Sequence, residues 1–86
     1  MTEIETAAKT FKLLGNSTRL RILNELADGT CHVKEICEKL DLPQATVSQH
    51  LALLRSHNMV TGSRKGVHVC YSLTGDQAEK ILQIIR

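Results

Sequence analysis

The sequence predicts a mostly helical α+β fold of order α-α-α-α-β-β-α, and three observations carry that prediction. Apolar residues recur at helical spacing in successive segments from Ile4 to Leu54. Alternation then takes over from Val67 to Leu73, the pattern of a half-buried strand. A final helical stripe, Ala78, Ile81, Leu82 and Ile85, follows it.

The first helix runs from Ile4 to Leu14, with Ile4, Ala7, Ala8, Phe11 and Leu14 at helical positions and Gly15-Asn16 as a stop. Ser17 is a natural cap for a second helix, Thr18 to Ala27, whose Leu20, Ile22, Leu23 and Leu26 form a broad apolar face. Val33, Ile36, Cys37 and Leu40 mark a short third helix with Lys34, Glu35, Glu38 and Lys39 on its wet side. Asp41-Leu42-Pro43 breaks the chain, and Pro43 suits the first position of a fourth helix because its missing N–H costs nothing there. A short helix, a tight turn and a longer helix make a helix-turn-helix. On the fourth helix Val47, Leu51 and Leu54 share one narrow arc, while Ala45, Gln49, Ala52 and Ser56 lie opposite. Val60 to Ser63 and Val67 to Leu73 then read as two strands around the turn Arg64-Lys65-Gly66, with Val67, Val69, Tyr71 and Leu73 on one face and His68, Cys70 and Ser72 on the other.

Charge is distributed unevenly. The net charge is only +2, but no Asp or Glu occurs from Leu42 to Gly75, a stretch that holds His50, Arg55, His57, Arg64, Lys65 and His68. Such a stretch prepares a surface for phosphates. Small or hydrogen-bonding residues on the outer arc of the fourth helix allow close entry into a major groove. Gln49 can pair bidentately with adenine there, and Thr46 or Ser48 can reach phosphates or base edges. The residues assigned to double-stranded DNA are Gln44, Thr46, Ser48, Gln49 and His50 on the helix and Arg64, Lys65 and Gly66 at the hairpin tip. His50 projects toward the Val47 and Leu51 side, which points to a backbone or phosphate contact more than to a base.

The 86 residues form one domain, 1–86, whose only aromatic residues are Phe11 and Tyr71. So light a core favours burial of apolar helix faces against a second copy, and the terminal helices are the expected dimer surface. The chain starts without the basic segment and apolar block of a secretory signal, and no apolar run approaches the roughly 18 to 20 residues that span a bilayer. No membrane association is expected. Cys31, Cys37 and Cys70 are an odd number of cysteines, which favours reduced thiols and a cytoplasmic location. Catalysis is not expected. The sequence has no nucleophile paired with a base, no glycine-rich phosphate loop and no carboxylate in the polar third of the chain.

Three stretches resemble the ArsR/SmtB family of bacterial and archaeal winged-helix repressors. They are FKLLGNSTRLRILNEL from Phe11 to Leu26, LPQATVSQHLALLRSHNMV from Leu42 to Val60 and SRKGVHVCYSL from Ser63 to Leu73. The resemblance implies a winged helix-turn-helix homodimer that represses from an inverted-repeat operator and leaves the DNA when a metal ion or an oxidant binds. The family's thiolate motif, Cys-Val-Cys-x-x-Cys, falls on His32, Val33, Lys34 and Cys37, where Lys34 replaces a ligand. The C-terminal zinc site lacks its histidines, since the last helix offers only Asp76 and Glu79. The persulfide-sensing dithiol is missing too, with Asn24 at its first position.

Cys37, on an apolar helix face, reads first as a small core residue. With Cys31 and His32 just ahead of the helix it also completes a candidate ligand set for zinc or another thiophilic metal. Cys70 reads as a strand residue or as a redox-active thiol. A second reading of the whole chain keeps the fold but has its basic face dock an acidic protein instead of DNA.

Overall fold

The computed structural model describes residues 2–85. Along them run α1 (Glu3–Leu14), α2 (Ser17–Ala27), α3 (Val33–Leu40), α4 (Gln44–Ser56), β1 (Val60–Lys65), β2 (His68–Leu73) and α5 (Gln77–Ile85), the predicted order. Three helix starts differ from expectation by one residue, α1 opening at Glu3 and not at Ile4. Asn16, not Ser17, caps α2: its extended backbone lets the carboxamide accept from Arg19 N at 3.1 Å, so Ser17 is already helical. Pro43 precedes α4 instead of opening it. Its φ of −61° and ψ of 147° are extended, and its carbonyl takes the first helical bond, from Val47 N at 3.2 Å.

The core lies where α2, α3 and α4 converge. Ile22, Leu23, Ile36, Val47, Leu51 and Leu54 are all fully enclosed there. Met59 and Val60 seat the base of β1 against this core, and Ala78 and Leu82 seat α5. The buried Thr30 hydroxyl is satisfied on both sides: Lys39 Nζ donates to it at 2.8 Å, and it donates to Glu25 Oε2 at 3.1 Å. That network ties the end of α2 to α3 and fixes the segment between them. The α3–α4 turn closes through Asp41, whose φ of 54° is a left-handed conformation that Asp tolerates.

The first helix departs from its predicted face. Leu14 is buried with Leu13 beside it, but Ile4 and Phe11 are 82% and 63% exposed. Ala7 and Ala8 are exposed too, because only the last turn of α1 reaches the core. At the other end Ile84 is 82% exposed.

β1 and β2 pair antiparallel, with Val60 opposite Leu73 and Lys65 opposite His68. β1 therefore extends further than predicted and takes in Arg64 and Lys65, while β2 starts one residue later than predicted, at His68. Gly66 and Val67 form the turn, with Gly66 at φ +65° and Val67 86% exposed. Glycine first in a two-residue turn matches the right-handed twist of the strands, which leaves no room for the longer turn read from the sequence. Gly62 serves a different need: a Cβ there would lie 3.2 Å from the Tyr71 ring.

Leu51→Ala should lower the unfolding free energy in a urea titration by about 2–5 kcal/mol, as expected for a fully enclosed leucine. A loss well below that range would show that α4 is not seated as described.

Candidate nucleic-acid interface

The helix-turn-helix is built so that α4 has one buried and one free side. Val47, Leu51 and Leu54 anchor it, while Gln44, Ala45, Ser48, Gln49 and Ala52 are exposed and Thr46 is half-buried. The helix ends on its own polar groups. In the tautomer that carries hydrogen on Nδ1, His57 donates to Leu53 O at 3.0 Å, and Asn58, at φ 59°, turns the chain toward β1.

Cations on this surface are free to meet a polyanion. Among the described residues the ion pairs are Lys39–Glu25 at 3.7 Å and Lys80–Asp76 at 3.0 Å, both outside the acid-free stretch. Arg55, Arg64 and Lys65 are exposed with no carboxylate partner among those residues. Asp76, the first anion after that stretch, bonds the Lys80 ammonium, which holds its carboxyl below the usual carboxylate range.

His50 is placed differently from its neighbours. It is half-buried, and its Nδ1 accepts from Arg19 Nε at 3.3 Å, which puts the ring proton on Nε2. Arg19 also donates to Leu13 O at 3.0 Å. One guanidinium thus links the end of α1, the start of α2 and the middle of α4. Nothing in the local spacing announced that pair, because its members lie on different helices.

The cysteines and histidines are also arranged in an unexpected way. Cys37 packs against the core. Residues 31 and 32 instead run beside β2, where Tyr71 N donates to Cys31 O at 2.9 Å. The His32 and His68 ring centroids are 5.4 Å apart. The neighbouring Cys70 side chain, with partial burial and the nearby Glu35, pushes the Cys31 pKa up against the opposing charge of Lys65. No three His, Cys, Asp or Glu side chains among the described residues gather as metal ligands. Cys31, His32 and Cys37 are therefore not assembled as a zinc set, because α3 turns Cys37 inward while Cys31 follows the strand.

A helix-turn-helix with a free outer face, followed by a two-stranded hairpin carrying basic residues to its tip, defines a winged-helix DNA-binding regulator of transcription. The chain belongs to the family described as bacterial regulatory protein, arsR family, whose model matches residues 16–61. It is 35% identical to an uncharacterized HTH-type transcriptional regulator of Methanocaldococcus jannaschii, over 99% of this chain and 97% of that protein. The crystal structure of the transcriptional repressor PagR of Bacillus anthracis superposes with a TM-score of 0.86 at 33% identity, covering 96% of this chain and 95% of that one. A homodimeric winged helix-turn-helix DNA-binding domain from Mycobacterium bovis gives a TM-score of 0.84 at 28% identity, covering 95% and 76%.

Gly66→Ala places a Cβ on a left-handed φ, at a cost on the order of 1–2 kcal/mol. Hydrogen exchange should show weaker protection of the β1–β2 amides with α4 unchanged. Equal protection would contradict the turn described here.

Proposed function

We propose that this chain is a homodimeric repressor that reads an inverted-repeat operator. In this reading α4 enters the major groove with Gln44, Thr46, Ser48 and Gln49, and Arg64, Lys65 and Gly66 lie along the phosphate backbone. The observation that carries it is the free face of α4, without anions, beside the cationic hairpin tip. His50 acts in this account through Arg19, as a positioning residue that holds α4 in register with α2.

Exposed Ile4, Phe11 and Ile84 on the terminal helices support the second copy, since large apolar residues are costly to leave in water. The homodimeric Mycobacterium bovis domain supports the same assembly, and the repressor PagR supports the sign of regulation. Release by an oxidant fits the residues present better than release by zinc, because the ligand set is not gathered. A role on chromosomal DNA supports a cytoplasmic location. No helix among the described residues is long and apolar enough to cross a membrane. No observation favours docking of an acidic protein in place of DNA, and none points to catalysis.

Gln49→Ala should cost roughly 1–3 kcal/mol on the cognate operator and relax its sequence preference, measured by fluorescence anisotropy against single-base variants. Lys65→Ala should weaken binding to every duplex alike and reduce the slope of log K against log salt by about one. Equal, sequence-independent losses in both variants would mean that α4 positions the protein without reading bases. Phe11→Asp should shift sedimentation from dimer to monomer. A dimer that survives it would move the interface away from α1.

A further inference from the structure

We propose that Cys31 and Cys70 form a redox site, which a hydroperoxide closes into an intramolecular disulfide tying the segment ahead of α3 to the wing strand β2. Four observations converge on it. The Cys70 side chain lies close enough to the Cys31 thiol to be the main cause of its raised pKa. The backbone bond from Tyr71 N to Cys31 O, at 2.9 Å, sets the segment beside the strand at this point. Both thiols are free and half-buried, so a small oxidant has access to them. Cys37, the third cysteine, is turned to the core and does not compete.

The chemistry balances with the oxidant named. One sulfur attacks the distal peroxide oxygen, which breaks the O–O bond and leaves a sulfenic acid and an alcohol, or water from hydrogen peroxide. The second sulfur attacks the first, expelling the hydroxyl, and the S–S bond forms. Two electrons leave the thiols for the peroxide, and the two thiol protons end in the two released molecules. A thiol donor reverses the step by exchange.

The consequence rests on the DNA-binding reading above. Cys70 pairs with Ser63 in the hairpin, one register from Arg64, and the charge of Lys65 is felt at Cys31. A disulfide holds its sulfurs at about 2.05 Å, closer than two unbonded thiols can approach. The wing is thereby drawn against residues 31 and 32 and loses its freedom to follow a backbone. The chain between the cysteines holds α3, α4 and β1, so the bond encloses the whole DNA-reading unit.

The test treats the reduced, full-length protein with hydrogen peroxide and maps it by mass spectrometry. We expect a loss of about 2 Da by removal of two thiol hydrogens, a fall from three titratable thiols to one, and a tryptic link between residues 22–34 and 66–80. Cys37→Ser should still form that link, and Cys31→Ser and Cys70→Ser should not. Anisotropy on a mixed-sequence 30-bp duplex at low salt should show roughly tenfold weaker binding after oxidation, restored by dithiothreitol, about the 1.4 kcal/mol of a tenfold change. A link through Cys37, a crosslinked dimer, overoxidation without a link, or a closed bond that leaves DNA affinity unchanged would each overturn the proposal. If the reduced protein ignores DNA, the DNA-binding reading fails, and the mapped link still reports on the sulfur pair separately.

Discussion

Val47, Leu51 and Leu54 occupy one arc of α4, and their complete burial dictates what the rest of that helix can do. With three of its turns pinned against Ile22, Leu23 and Ile36, the helix cannot rotate without exposing a branched side chain to water. Its opposite face is therefore presented to solvent in one orientation. That face consists of small and amide side chains, which suits close approach to a duplex.

Polar contacts refine what the core sets. The Arg19–His50 bond and the Lys39–Thr30–Glu25 network each join helices that the apolar residues already bring together. They stiffen the α2–α3–α4 arrangement. The wing has lighter support: the β1 base is buried at Val60, but the strand is exposed from Ser63 onward. Such a finger can adjust to a backbone, and a bond through Cys70 would restrict it most.

Much of the fold was legible because it is written in local periodicity. The α3–turn–α4 unit and the acid-free stretch needed only spacing and composition. Errors gathered where two local solutions are close in energy. Asn16 and Ser17 are both good caps, and Pro43 fits the residue before a helix as well as the first within it. The hairpin turn was misplaced because Arg64 and Lys65 look like loop residues, and only the pairing register shows that they are strand. Phe11 carries a core pattern yet lies exposed, because only the last turn of α1 reaches the core. The sulfur pair was not legible at all, since Cys31 and Cys70 meet only after β2 folds back along the segment before α3. Spacing suggested Cys37 as the partner instead.

The central claim is that two copies present α4 and the wing tip to successive grooves of one duplex. Selection of binding sites from a pool of random duplexes, with the reduced wild-type protein, tests it most directly. The account predicts enrichment of two-fold symmetric sites whose half-sites are centred about 10 bp apart, or a small multiple of that spacing. Recovery of unsymmetrical single sites, or no enrichment at low salt, would contradict it.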